Sequence, residues 1–346
     1  MGLCHDEPSP PSSTPAANCP PGGTVPCNIA YTLTCRWLDP QAYCGDAAKL
    51  EATVTPTPPD GTVTVNVLHP VTGATIDTLT GNMTGGRMQT TWTTKAQTAN
   101  WRTDRIRFTA TASSVGASGT STNQFTFRQR PTAAWTLKNV THASGNGFGP
   151  SHEKHDASLD PSQVHYRIKL KLSGAPFDAA HQTAARTVIQ DVWNNGFSGK
   201  RFHRTHCLRG NTCDCAFDCC KAGFHLDVEF VATGEHLTVQ VFHTAPGAAA
   251  HGSAMNGDGG EWGDPPRNAA STYAHETGHV LGQHDEYPTG AFDPTVPPAQ
   301  PTNPPNPNLL STTGNTTLFN RHYRYALAYL NANASGDNYE IIPSGE

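Results

Sequence analysis

The sequence lacks the long hydrophobic runs that cross membranes. No run of about 18 consecutive apolar residues occurs in the 346-residue chain, and 36% hydrophobic residues are enough for two modest cores. The first residues, MGLCHDEPSPPSSTP, contain no basic segment followed by an apolar stretch. We therefore expect no membrane span and no conventional signal peptide.

The sequence also lacks a surplus of positive charge. It has 23 Lys and Arg residues against 28 Asp and Glu residues, which gives a formal net charge of -5 with histidine neutral. Proteins that bind nucleic acids collect phosphates with a basic surface. The composition therefore argues against a nucleic acid partner.

Cysteine, in contrast, is plentiful for a reduced cytosol, where disulfides are rare. The ten cysteines fall into two groups of five: Cys4, Cys19, Cys27, Cys35 and Cys44, then Cys207, Cys213, Cys215, Cys219 and Cys220. The second group, CLRGNTCDCAFDCC, lacks the paired C-x-x-C spacing of zinc knuckles, so disulfides are favoured over a second metal site. This usage predicts an oxidising destination and hence export by a specialised route.

The composition and residue pattern change along the chain and predict several segments. Residues 1–40 are rich in Pro, Ser and Cys and predict an arm without a core of its own. Residues 41–130 contain short alternating runs such as TVTVNVLHP, which are typical of an all-β, immunoglobulin-like sandwich with Trp92 and Trp101 in its core. Gly-rich and His-rich residues 131–160 predict a linker.

Residues 161–346 predict a second domain of the α+β class. VHYRIKLKL, FHLDVEFVA and HLTVQVFHT alternate as strands, whereas the Gly-rich GSAMNGDGGEWGDPP predicts a loop. A helix over 178–194 is predicted to begin at the capping residue Asp178. Its apolar face is expected to carry Ala180, Ala184, Val188 and Val192.

The segment HETGHVLGQHD, residues 275–285, contains a metal-binding pattern. His275 and His279 are four residues apart, so on a helix both imidazoles project from one face and can reach one ion. Glu276 lies beside them, where a carboxylate can take a proton from a water on the metal. Asn268 or Ser271 is the expected cap of this helix.

The third ligand is expected after Gly282, which can end the helix in the left-handed conformation and turn the chain back toward the metal. We expect Asp285 in this role, because a carboxylate oxygen is an acceptable zinc ligand. His284 is the alternative third ligand, and Glu286 and Asp293 are weaker competitors.

The whole string resembles the motif H-E-x-x-H-x-x-G-x-x-H of the metzincin clan of zinc metallopeptidases, with Asp285 at the last position. The resemblance implies a metzincin-like zincin fold, bound Zn²⁺ and an endopeptidase that hydrolyses peptide bonds with Glu276 as general base. It also implies that the strand HLTVQVFHT is an edge that binds a protein or peptide substrate, and that Tyr323 or His322 lies near the substrate oxyanion. Metzincins also place a methionine turn beneath the metal, but no Met follows Met255, so Leu310 is the expected apolar floor.

HETGHVLGQHDEY is also similar to the HExxHxxGxxDEY string of bacterial metallopeptidase effectors and toxins. This resemblance implies an exported protein without a conventional signal peptide. We expect delivery by a type VI secretion system to a target cell periplasm, with the N-terminal region contacting the secretion machine. The alternative is a binding or adhesion module with a structural or inactive metal site; Glu276 argues against it, because a structural metal needs no general base.

Overall fold

The fold is mostly β and divides into two compact units. The first unit holds the described residues among 1–42, 47–94 and 100–127, and the second holds those among 43–46 and 128–346. The computed structural model describes residues 29–43, 45–94, 105–127, 132–143, 150–160, 162–175, 177–208, 221–246, 248–249, 251–256, 259–264, 266, 269–288, 296–301, 305–312, 314–334 and 337–343.

Within its described residues, the first unit contains nine strands in chain order. They are β1 (Thr32–Trp37), β2 (Gln41–Ala42), β3 (Ala47–Thr55), β4 (Gly61–Leu68), β5 (Thr75–Met83), β6 (Arg87–Thr93), β7 (Phe108–Ala112), β8 (Ala117–Thr120) and β9 (Thr126–Phe127), with a short 3-10 helix at Ser113–Val115. Antiparallel pairing gives one sheet in the order β1-β3-β6 and another in the order β5-β4-β7-β8, while β2 and β9 pair in parallel.

Aromatic side chains fill the space between these two sheets. Buried positions alternate with exposed ones in β1 and with partly buried ones in β4, as expected for strands with one face in a core. Trp37 of β1 lies 5.0 Å from Phe108 of β7, measured between ring centroids, so the two sheets share one core. Trp92 is fully buried there, as predicted, whereas Trp101 lies outside the described residues.

Two boundaries of the first unit differ from the prediction. Strand β1 lies within residues 1–40, so the prediction of an arm without a core is wrong there. The alternation of TLTCRW outweighs the Pro-rich and Cys-rich composition around it. The unit ends at Phe127. The two-sheet arrangement agrees with a sandwich, and the immunoglobulin-like topology stays a prediction.

The described residues of the second unit form nine further strands and three α-helices. They are β10 (Ala133–His142), β11 (Ser151–Leu159), β12 (Gln163–Gly174), α1 (Ala179–Gly196), β13 (Arg201–Arg204), β14 (Lys221–Phe230), β15 (Leu237–His243), β16 (Ala254–Met255), β17 (Gly259–Asp264), α2 (Ser271–Val280), α3 (Arg324–Asn333) and β18 (Tyr339–Ile342), with a 3-10 turn at Asn320–Tyr323.

These strands form one sheet. Seven of them follow the order β16-β17-β15-β12-β14-β13-β18, and β11 pairs with both β12 and β10 beside this path. Strands β14, β12, β15 and β17 run parallel, and β16 is antiparallel to β17 at the edge. The predicted substrate strand is β15, which lies between β12 and β17, so the prediction that it is an edge is wrong. The edge is β16, which together with β17 forms from the sequence predicted to be a Gly-rich loop.

The predicted linker 131–160 is wrong as well. Its described residues form β10 and β11, which pair along eight positions and attach to β12 through β11. The Gly-rich residues 144–149, which prompted the linker prediction, lie between these strands and outside the described residues. The second unit therefore includes the hairpin that precedes residue 161.

Helix α1 begins at the predicted cap: Asp178 accepts a hydrogen bond from the His181 amide. The buried face, however, carries Ala185, Ile189 and Trp193, one residue beyond the predicted face. The larger apolar area of Ile189 and Trp193 outweighs that of alanine and valine, so these side chains pack in the core. None of the helices in the described part of the chain has the length and hydropathy that a membrane crossing requires.

Candidate metal centre

Helix α2 carries the first two candidate ligands. It begins at Ser271, after Ala270, without a side-chain cap, so the predicted cap by Ser271 is wrong, and Asn268 lies outside the described residues. Inside the helix, the Trp193 indole donates to the Ala274 carbonyl at 3.0 Å and fixes α2 against α1. The opposite face of α2 is left for the histidines.

The chain turns back immediately after α2, as predicted. Gly282 has a φ of +86°, which a glycine adopts at little cost. The β10–β11 hairpin holds this turn, because the Ser151 hydroxyl donates to the Gly282 carbonyl at 2.6 Å. The turn brings Asp285 under the face of α2.

His275, His279 and Asp285 come together at this point. One ligand atom from each lies within 4.8 Å of the other two. Asp285 Oδ1 is 3.1 Å from His275 Nε2 and 3.5 Å from His279 Nε2. In a tetrahedral zinc site with bonds of about 2.0 to 2.1 Å, neighbouring ligand atoms are ~3.3 Å apart. The spacing therefore fits a single zinc ion.

The hydrogen bonds of the rings show why this cluster suits a cation. His275 Nδ1 lies 2.8 Å from the Leu309 carbonyl oxygen, and His279 Nδ1 lies 2.9 Å from the Gln283 carbonyl oxygen. Because a carbonyl only accepts, each Nδ1 donates its proton to that carbonyl, and each ring turns its Nε2 atom toward Asp285. Asp285 Oδ1 is buried, and the Nε2 atoms of both rings face it.

The two Nε2 atoms and the carboxylate oxygen lie close together, so the cluster favours positive charge between them. A proton is one source: burial lowers the pKa of His275, but the Asp285 carboxylate and the charge of Glu276 outweigh it and raise that pKa to about 9. A divalent cation is the other source, and this donor set suits zinc. The residues present therefore fit the ion that the motif implies.

Glu276 lies next to the cluster and is not one of its ligands. Its side chain is buried, and burial raises its pKa although the charges of His279 and His275 oppose that shift. The same cavity is lined by Glu276 and by the three ligand residues. The carboxylate is thus placed beside the metal position, as a general base requires.

A buried network fixes the loop that carries Asp285. Glu286, fully buried, accepts two hydrogen bonds from Arg321 at 2.8 and 2.9 Å and one from the Asn308 amide at 2.7 Å. Its backbone amide donates to the Leu310 carbonyl at 2.9 Å. Glu286, a weaker competitor for the metal, is therefore an anchor, which the sequence did not indicate because Arg321 is far along the chain.

The turn around Asn308 contacts both the loop of Asp285 and helix α2. Its amide oxygen accepts from the Leu310 backbone at 2.8 Å, and the Leu309 carbonyl accepts from His275. Leu310 is fully buried and packs against Gly278 of α2. Leu310 therefore lies against α2, and its role as the apolar floor of a metal site stays a prediction.

The cavity above the cluster has a volume of about 500 Å³. Besides the motif residues, its walls are Ser253, Ala254, Met255, Tyr287, Ser311 and Thr312. The edge strand β16 forms one wall, because its residues Ala254 and Met255 line the cavity. Sequence reasoning did not assign Tyr287, which follows Asp285 in the DEY string.

The remaining predicted site residues lie elsewhere. The Tyr323 hydroxyl donates to the Trp193 carbonyl at 2.7 Å, and His322 contacts Glu286 at 3.2 Å; both side chains are buried and neither lines the cavity. The backbone amide of His284 donates to Gln300, and its side chain is not part of the cluster. The structure therefore brings Asp285, and not His284, to the two motif histidines.

Eight of the ten cysteines lie outside the described residues, and so does Asp293. Cys35 and Cys207 are described and buried. The predictions of disulfides or of a second metal site in CLRGNTCDCAFDCC thus fall mostly outside the described residues.

Comparison with known proteins adds little to this geometry. No protein-family model matches the chain, and no curated protein matches it. Among solved structures, part of the chain is similar to Ruminococcus gnavus β-glucuronidase in complex with uronic isofagomine, at 10% identity and a TM-score of 0.18. The match covers 47% of this chain and only 23% of the other. A TM-score this low does not establish a shared fold.

Proposed function

We propose that this protein is a zinc-dependent endopeptidase. The observation that supports it most is the convergence of His275 Nε2, His279 Nε2 and Asp285 Oδ1, with Glu276 beside them in one open cavity. Two neutral imidazoles and one carboxylate are a ligand set typical of catalytic zinc and leave one coordination position for water or substrate.

In the proposed reaction, His275, His279 and Asp285 hold the ion. Zinc supplies Lewis acid chemistry, which activates water and polarises a peptide carbonyl. Glu276 accepts the proton of the attacking water and passes it to the amine that leaves. The buried turn around Asn308 and the Glu286 network keep the ligands in place, so little reorganisation accompanies the reaction.

The substrate site follows from β16. This strand pairs with β17 along one side, and its residues Ala254 and Met255 line the cavity. An extended peptide can add to such an edge by backbone hydrogen bonds, which bind without requiring a particular sequence. We therefore propose a protein or peptide substrate bound along β16 rather than along β15. Export as a bacterial effector stays a prediction from the motif.

The test is cleavage of a denatured protein pool, with the cut sites mapped and bound zinc counted. Wild type should cleave, whereas Glu276→Ala should hold one zinc per chain and lose cleavage. Glu261→Ala, which removes an exposed carboxylate of β17, is the matched control and should cleave like wild type. Equal inertness of wild type and Glu276→Ala, with zinc bound in both, would support a binding module instead.

A further inference from the structure

The two carboxylate oxygens of Asp285 have different surroundings. Oδ1 faces the Nε2 atoms of His275 and His279, at 3.1 and 3.5 Å. Oδ2 accepts a hydrogen bond of 2.6 Å from the hydroxyl of Tyr287. One oxygen of the carboxylate therefore faces the metal position, and the other is hydrogen-bonded to Tyr287.

Tyr287 is well placed to act as this donor. It follows Asp285 by two residues, lies in the same loop and lines the same cavity, with 40% of its surface exposed. A phenol has an ordinary pKa of about 10, so it donates a hydrogen bond at neutral pH. The adjacent Glu286 fixes the backbone of this loop in the buried network, so the Tyr287 ring is presented from a rigid base.

A carboxylate ligand without such a partner can rotate about its terminal bond. Either oxygen, or both, can then bind the ion. Fixing one of these arrangements when the ion binds costs conformational entropy. Groups that hydrogen-bond to a ligand orient it, and their loss typically weakens metal binding by about 10- to 100-fold. The bond from Tyr287 to Oδ2 is a contact of this kind.

We propose that Tyr287 is a positioning residue that holds Asp285 so that Oδ1 alone binds the ion. The role rests on the proposed zinc centre. It gives the tyrosine of the DEY string a function distinct from that of the two residues before it: Asp285 binds, Glu286 anchors the loop, and Tyr287 sets which oxygen binds.

The experiment measures the zinc dissociation constant of the full chain by competition with a chromophoric chelator. Tyr287→Phe should weaken zinc binding by about 10- to 100-fold relative to wild type. Thr312→Val is the matched control, because it removes from the same cavity wall a hydroxyl that lies 3.4 Å from the Ser311 hydroxyl. Its dissociation constant should equal that of wild type, and both variants should show the wild-type thermal transition of the metal-free chain.

A double-mutant cycle separates positioning from a general structural effect. If Tyr287 acts through Asp285, Tyr287→Phe has no further effect on zinc affinity once Asp285 is alanine. An equal loss in both backgrounds would overturn the proposal. So would an unchanged dissociation constant in Tyr287→Phe, including the case in which only kcat falls, since the hydroxyl would then act on the substrate. A wild-type chain that binds no zinc would contradict the proposed function itself.

Discussion

Glu286 offers the sharpest test of how the candidate centre is held together. Its carboxylate is fully buried, and so is the Arg321 guanidinium, which donates to both of its oxygens. In Glu286→Ala the Arg321 charge stays buried without its counter-ion, and the Asn308 amide loses an acceptor. Breaking a buried ion pair on one side costs about 3 to 5 kcal/mol of unfolding free energy.

The pKa of Glu286 gives a second estimate of the same interaction. Burial raises this pKa, but hydrogen bonds from His322 and Arg321 outweigh burial and lower it from 4.5 to about 2. A depressed carboxyl pKa stabilises the folded state above the unfolded pKa, and this stabilisation is lost as the pH falls through about 2. At about 1.4 kcal/mol per pH unit, the shift corresponds to roughly 3 kcal/mol at neutral pH, in agreement with the first estimate.

The assay is urea unfolding of the metal-free chain at neutral pH, with Glu261→Ala as the control. The Glu261 side chain is 53% exposed and pairs with a partly exposed His251, so its removal should cost at most about 1 kcal/mol. Glu286→Ala should lose about 3 to 5 kcal/mol from the unfolding of the second unit. A loss no larger than that of the control would refute the view that this network anchors the Asp285 loop.

Two further predictions concern the hairpin that supports the motif helix. Burial raises the pKa of Glu153, but hydrogen bonds with His142 and His155 outweigh it and lower that pKa to about 2. Glu153→Gln should therefore lower the unfolding free energy by roughly 3 kcal/mol at neutral pH. This difference should shrink as the pH falls below about 4.5. A pH-independent difference in urea unfolding would count against this. Gly282→Ala should be more destabilising than Gly199→Ala. Both glycines have a positive φ, but only at Gly282 would a new Cβ lie 2.8 Å from the Tyr325 ring. Equal decreases in the thermal unfolding temperature of the two variants would show that this clash relaxes.

The local part of the site was predictable from the sequence. His275 and His279 share a helix face because of the helical period, and Gly282 makes the turn because glycine tolerates a positive φ. Both effects act over a few residues. The placement of Asp285 follows from them, so the ligand set of the motif agrees with the cluster in the structure.

The supporting contacts were not predictable, because they join residues far apart in the chain. Glu286 and Arg321 are 35 residues apart, and Ser151 reaches Gly282 across 131 residues. No local pattern marks such pairs. The same limit explains the interior position of β15, since strand order in a sheet is set by the crossover connections and not by the alternation within one strand.

Some predictions from composition and spacing were wrong, namely the linker near residue 145 and the buried face of α1. The Gly-rich residues near 145 suggested a linker, yet β10 and β11 on either side of them pair along their length. In α1 the predicted buried face is offset by one position from the observed buried face, which contains Trp193. A large aromatic side chain is the better guide to a helix face than a run of small residues.

A zinc titration of chelator-stripped protein tests the proposed function most directly. Peptidase rate and bound zinc are measured in the same samples, for wild type and for Glu276→Ala. We expect the wild-type rate to rise in proportion to bound zinc and to level off at one ion per chain. Glu276→Ala should take up the same single ion without gaining activity. Cleavage by the stripped wild type, or equal rates in the two proteins at full occupancy, would contradict a zinc centre that works through Glu276.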